Sequence, residues 1–75
     1  MKEIVEFIAK AIVTDPDKVV VTEAADDLGI VVKLEVAPED KGRVIGREGR
    51  VAEAMRTLLR VAAAQKNSRV RLEIV

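Results

Sequence analysis

The sequence predicts an α+β fold in which a helix, a two-stranded hairpin, two further helices and a last strand follow in the order α-β-β-α-α-β. The three strands are expected in one mixed sheet with the helices on one face. Three observations carry this reading. Ile30, Val32, Leu34 and Val36 alternate with Val31, Lys33 and Glu35, the period of a half-buried strand. Residues 2–13 and 50–66 space their apolar side chains as amphipathic helices do. About thirty residues of helical pattern separate the second strand from the third, and a connection of that length joins parallel strands, with a right-handed preference.

Each element has a local reason. In residues 2–13, Ile4, Val5, Ile8, Ala11 and Ile12 fall on one face, opposite Lys2, Glu3, Glu6 and Lys10. Thr14-Asp15-Pro16-Asp17 ends that helix, because Pro16 cannot continue its hydrogen bonding. Residues 18–23 are rich in β-branched side chains and read as a strand with Val19 and Val21 inward. Residues 24–29, with Asp26, Asp27 and Gly29, form the turn cluster of a hairpin, and Ile30, Val32, Leu34 and Val36 face the core of its second strand.

Pro38-Glu39-Asp40 opens a short helix that runs to Ile45, since proline suits a first turn and carboxylates favour its positive end. Gly46 stops it. In residues 50–66 the expected core face is Val51, Ala54, Met55, Leu58, Leu59 and Ala62, with Glu53, Arg56 and Arg60 outside. Asn67-Ser68 breaks this helix, Asn67 being able to take the left-handed conformation. Val70, Leu72 and Ile74 then alternate with Arg69, Arg71 and Glu73 in the last strand. The second strand is expected at the centre, with Lys33, Glu35, Arg69, Arg71 and Glu73 on the face left to water.

Composition narrows the function. A chain of 75 residues reads as one domain, residues 1–75, and buries about 60% of its unfolded surface, so a deep enclosed pocket is not expected. Phe7 is the sole aromatic residue, which leaves almost no platform for base stacking. The absence of His and Cys excludes disulfides, zinc sites of the usual ligands, thiol nucleophiles and imidazole acid–base chemistry. The pairs among Asp15, Asp17, Asp26, Asp27, Glu39 and Asp40 sit where turns and helix starts favour acids and show no metal-loop spacing, so no metal or cofactor and no enzymatic activity is expected. Glu3, Glu6 and Lys10 interrupt the first apolar stretch, which reads neither as a signal segment nor as a membrane span, and the expected location is the cytoplasm.

The net charge of zero conceals a division, −6 over residues 1–40 and +6 over residues 41–75, which points to a nucleic-acid-facing half or to head-to-tail attraction between molecules. Within the basic half lies Val44-Ile45-Gly46-Arg47-Glu48-Gly49-Arg50. Two glycines two residues apart make a tight turn that can approach a phosphate backbone, beside the positive end of the following helix. The amides of the turn and of that helix's first residues are expected to point outward unpaired. The spacing does not match a P-loop, because Gly49 is followed by Arg50 and Val51, and it matches only half of a dinucleotide fingerprint. It does match the Gly-x-x-Gly clamp that holds about four nucleotides of a single strand in KH domains. Lys41, Arg43, Arg47 and Arg50 surround it, Glu48 opposes them, and Gly42 inside a short helix suggests close approach by backbone or ligand.

Lys41-Gly42-Arg43-Val44-Ile45-Gly46-Arg47-Glu48-Gly49-Arg50 resembles the signature of a bacterial KH domain of the type II arrangement. Length and element order resemble the small KH RNA-binding proteins of the KhpA (YlqC-like) family. The resemblance implies a single-stranded RNA partner and a role as RNA chaperone or post-transcriptional regulator. It implies phosphate contacts from Arg47, Arg50 and the Gly46–Gly49 backbone, a field from Lys41 and Arg43, and base contacts from Ile45 and Val51. Glu48 lies inside the clamp. By the same resemblance Val36, Val44, Ile45 and Val51 are candidates for the floor of an apolar groove, although helical geometry cannot put all four on the groove side and at least half are expected to be plain core. The implied protein partner is a second copy, or a larger KH protein of the KhpB (Jag-like) kind. The competing reading is a dimerisation or interaction module whose clamp is vestigial.

Overall fold

The computed structural model describes residues 1–75. Its elements are α1 (Lys2–Ile12), β1 (Val20–Asp26), β2 (Gly29–Glu35), α2 (Lys41–Ile45), α3 (Arg50–Ala64) and β3 (Val70–Ile74), with single 3-10 turns at Pro16–Lys18, Pro38–Asp40 and Arg47–Gly49. The sheet order is β1-β2-β3, with β2 central, antiparallel to β1 and parallel to β3. This is the expected mixed sheet in the expected α-β-β-α-α-β order.

The hairpin is longer than the sequence suggests. β1 starts at Val20 rather than Lys18 and runs through Ala24, Ala25 and Asp26, so that only Asp27 and Leu28 remain for the turn. Alanine is a poor strand former by itself; here pairing of Ala24 with Val31 and of Ala25 with Ile30 imposes the conformation. Val19 and Val21 do point inward, and Val32, Leu34 and Val36 are buried as expected, whereas Ile30 is only partly so. Val31, on the opposite face, is also buried, between Ala24 and Arg71 of the flanking strands.

The helices differ from expectation in phase. On α1 the fully buried residues are Val5 and Ala9, while Ala11 is exposed; Ile4, Ile8 and Ile12 pack along the border of the core. Small Ala9 lets the helix lie close to the sheet. On α3 the buried stripe is Ala52, Met55, Leu59 and Ala63, a step of three and then two of four along one helix face. Ala54 and Leu58, expected in the core, are exposed, and Arg56 is half-buried. α3 closes on a Schellman arrangement: Asn67 has φ +54, its N–H donates to the Ala64 carbonyl, and the Ser68 N–H donates to the Ala63 carbonyl at 2.9 Å.

Two polar ties fix the frame. The Lys2 N–H donates to Glu23 Oε1 at 2.9 Å, so a strand carboxylate serves the first turn of α1. Asp40 is wholly buried, and its carboxylate accepts from the Thr14 N–H at 3.0 Å, the Thr14 hydroxyl at 2.9 Å and the Asp15 N–H at 3.2 Å. These bonds, the Thr14 amide above all, hold the Asp40 carboxyl below the usual carboxylate range against the opposing effect of burial, with a contribution from Arg43. They tie the exit of α1 to the start of α2. No helix is long and apolar enough to cross a membrane.

Candidate nucleic-acid interface

α2 ends because Gly46 takes φ +78 and ψ 171, a region open almost only to glycine. A Cβ at Gly46 would stand 2.5 Å from Val51 Cγ2 and 2.8 Å from the Val51 amide nitrogen, so this glycine is filled against α3 rather than open to a ligand. Gly49, with φ +74, is the opposite case: nothing lies within 4 Å of the Cβ position. The turn therefore has one glycine that packs and one that leaves its surface clear. Glu48 between them has φ +57, which few non-glycine residues adopt.

The amides are more occupied than the sequence suggests. The Gly49 N–H donates to the Gly46 carbonyl at 3.1 Å and the Arg50 N–H to the Arg47 carbonyl, so the turn is itself a hydrogen-bonded loop. No side chain caps the start of α3, and its positive end is left to solvent or to an anion.

The expected cations are all exposed but not equivalent. Arg43 leans on Asp40 at 3.6 Å, and Arg50 lies 3.5 Å from Glu48. Lys41 and Arg47 have no carboxylate within 4 Å, which makes them the unengaged charges of the turn. Glu48 thus acts on Arg50 directly. A Cβ at Gly42 would meet nothing within 4 Å, so no backbone packs against it; its outer side is open.

The four candidates for the groove floor divide. Val36 and Val44 are core residues, because Val44 on the five-residue α2 points at the sheet and Val36 continues the inward set of β2. Ile45 is exposed and Val51 half-buried, so these two remain accessible beside the turn. The cleft itself lies further along, between α3 and β3. Arg56, Leu59 and Arg60 form one wall, and Val70, Arg71, Leu72 and Glu73 the other, around a volume of about 370 Å³. Arg56 and Arg60 both reach Glu53, at 3.8 and 3.2 Å. The sequence assigned these arginines to a solvated face; a spacing of four along α3 was the available signal that they share one side.

A sheet of this order, with a Gly-x-x-Gly turn between two helices and a cleft beside the helix that follows, defines a KH domain of the type II arrangement. The chain belongs to the KhpA/KhpB family: the family model described as "KhpA/KhpB, KH domain" matches residues 2–74. It is 48% identical over 75 residues to the RNA-binding protein KhpA of Clostridium acetobutylicum, covering 100% of both chains. It is 49% identical over 75 residues to the RNA-binding protein KhpA of Caldanaerobacter subterraneus subsp. tengcongensis, again across 100% of both. The RNA-binding protein KhpA of Aquifex aeolicus is 44% identical over 75 residues, which span 95% of that relative. No solved structure matches the chain.

Proposed function

We propose that this protein binds single-stranded RNA through one KH unit formed by residues 1–75 and acts as an RNA chaperone or post-transcriptional regulator in the cytoplasm. The observation that carries the reading is the open side of the turn at Gly49, with the unengaged Arg47 inside the turn and the unengaged Lys41 at the start of the preceding helix, at the N-terminus of the helix that walls the α3–β3 cleft. Arg47, Arg50 and the Gly46–Gly49 backbone hold phosphates, with Lys41 and Arg43 adding field. Ile45 and Val51 meet the first base. Relatives named as RNA-binding proteins over the full length support the same reading. It assigns no catalytic step, metal or cofactor.

Affinity for a short single-stranded RNA should fall with salt at a slope of about −0.7 per neutralised phosphate, hence roughly −1.5 to −2 for two or three contacts. Fluorescence anisotropy between low and moderate salt measures it. A salt-independent affinity, or a preference for perfect duplex, contradicts the reading, because the cleft takes unstacked bases.

A second reading concerns assembly and rests on one observation. Phe7 is 79% exposed and lies with Ile4, Ile8, Leu58, Val61 and Ala62 along a shallow apolar trough between α1 and α3, of about 700 Å³. The occupant proposed is a second copy of the chain. α1 carries Glu3 in its first turn and Lys10 in its last, so an antiparallel two-fold pairing sets the acid against the partner's lysine. A net charge of zero does not oppose self-association. Two clamps in one dimer then add avidity that a single unit lacks. Light scattering should show a dimer that Phe7→Ser with Val61→Ser reduces to monomer. A monomeric wild type would refute this assembly, and dependence on an added KhpB-type (Jag-like) chain would assign the trough to a heteromeric partner instead.

A further inference from the structure

The two edges of the sheet are not alike. β3 borders the cleft already described, whereas β1 ends the sheet on the other side, with β2 as its only strand neighbour. The hydrogen bonds of β2 show which backbone groups of β1 are free. The Ile30 N–H donates to the Arg69 carbonyl at 2.8 Å, and the Leu34 carbonyl accepts from the Val75 N–H at 2.9 Å, so both residues turn their backbone toward β3. In an antiparallel pair bonded and non-bonded positions alternate, and the partners of Ile30 and Leu34 are Ala25 and Val21. Val21, Glu23 and Ala25 therefore point their amides and carbonyls away from the sheet.

This edge lacks the usual protection against a further strand. β1 pairs over seven residues without a bulge and contains neither proline nor lysine. Its one charge on the helix side, Glu23, is drawn onto α1, where it accepts from the Lys2 N–H at 2.9 Å. Every residue from Thr22 to Asp26 is exposed, and Thr22, Ala24 and Ala25 are small. An open edge of this kind recognises extended peptides through their main chain.

The fold selects the occupant. α1 packs on β1, and an added strand would lie about 4.8 Å from β1, whereas a helix is about 10 Å across. A second copy pairing through β1 would bring its own α1 into space already held, so the edge suits a segment that carries no helix. Charge sets the chemistry of that segment. From Asp15 to Asp27 the chain carries Asp15, Asp17, Glu23, Asp26 and Asp27 against Lys18 alone, five carboxylates less one lysine, a net of −4. Lys18 lies against Asp15 and Arg71 against Asp26, while Asp17 and Asp27 have no cation within 4 Å. Acids thus stand at both ends of the strand, and basic side chains meet them in either strand direction. The same charges repel a nucleic acid.

We propose that the outer edge of β1 is a docking site for an extended, lysine- or arginine-rich segment of a partner protein, which adds to the sheet as a fourth strand. Glu23 and Ala25 exchange backbone hydrogen bonds with it, and Asp17 and Asp27 meet its basic side chains at the two ends. A segment of about seven residues spans β1 at about 3.3 Å per residue. β1 and β3 are two strand spacings apart, about 10 Å, so this segment and the α3–β3 cleft occupy opposite edges of the sheet. The site stands independently of the RNA reading.

The test titrates two fluorescein-labelled peptides of about seven residues, one alternating lysine with threonine and one alternating glutamate with threonine, by anisotropy at low salt. Ala25→Pro removes a free amide and no bond to β2, the one setting in which an edge strand tolerates proline, and Ala25→Ser keeps the amide. Both variants should melt within about 3 °C of the wild type. The wild type and Ala25→Ser should bind the lysine peptide alike, and about tenfold or more tightly than the glutamate peptide. Ala25→Pro should bind the lysine peptide about fivefold more weakly, the loss of one backbone bond. Amide hydrogen exchange of the wild type gives a readout that does not depend on the proline variant: the lysine peptide should protect the Glu23 and Ala25 amides and leave those of Thr22 and Ala24, already bonded to β2, unchanged. Absence of that protection, equal binding of the two peptides, full binding by a folded Ala25→Pro protein, or a loss in Ala25→Ser overturns the docking edge.

Discussion

Replacing each glycine of the turn by alanine in separate variants should have unequal consequences, because one position is full and the other empty. At Gly46 the backbone sits at φ +78 and ψ 171, where a non-glycine residue costs about 1–3 kcal/mol. The new methyl would also overlap Val51, whose amide nitrogen at 2.8 Å belongs to the helix backbone and whose branched side chain has little rotameric freedom. Overpacking of that kind adds about 1–3 kcal/mol. A central figure is therefore about 3–4 kcal/mol for Gly46→Ala. At Gly49 only the left-handed φ of +74 is penalised, about 1 kcal/mol, with nothing within 4 Å to strike. For a chain of 75 residues, 1 kcal/mol corresponds to about 6 °C in melting temperature. Thermal unfolding followed by circular dichroism should thus show Gly46→Ala about 20 °C below the wild type and Gly49→Ala about 6 °C below. On RNA at a temperature where both are folded the order should reverse, since only the Gly49 methyl stands on the open side of the cradle. Equal melting temperatures, or a Gly49→Ala protein with unchanged RNA affinity, would refute the distinction between a packing and a binding glycine.

Two further expectations follow from charged groups. Glu48→Asn places a residue tolerant of φ +57 in the turn and removes the carboxylate 3.5 Å from Arg50. It should raise the melting temperature by about 3 °C and tighten RNA binding, with a salt slope steeper by about 0.7 as Arg50 becomes available; a weaker complex would contradict the role given to Glu48. For Asp40 the folded carboxyl is depressed below its unfolded range, so its stabilisation is fully present above the unfolded pKa of about 3.9 and is lost as pH falls through the folded value. The melting-temperature gap between the wild type and Asp40→Asn should accordingly be constant from pH 5 to 8 and close below about pH 4. A gap that persists unchanged into strong acid would mean that ionised Asp40 is not the stabilising species.

What could be read in the sequence depended on how local the cause was. The alternation in β2 and the stop at Gly46 are written in neighbouring residues, and the structure has both. The phase of α3 is not. Leu58 and Val61 are larger and more apolar than Ala52 and Ala63, yet the alanines are buried because α3 lies close to the sheet, and the larger residues form the outer trough. Burial of Asp40 depends on Thr14, 26 residues earlier, and no pattern around Pro38 announces it. The candidate site divides in the same way. The turn and its cations are contiguous and legible, whereas which of Val36, Val44, Ile45 and Val51 reach the surface depends on which face the short helix turns inward.

Phosphate binding by the turn at residues 46–49 is tested most directly by the RNA affinity of the double variant Arg47→Asp with Glu48→Asp. Both side chains are exposed and both glycines remain, so folding should change by no more than about 0.5 kcal/mol per substitution. The double variant should show an unchanged circular dichroism spectrum, a melting temperature within several degrees of the wild type, an unchanged oligomeric state and no detectable binding of single-stranded RNA. A folded double variant that binds RNA as the wild type does would contradict it and move the interface away from the turn.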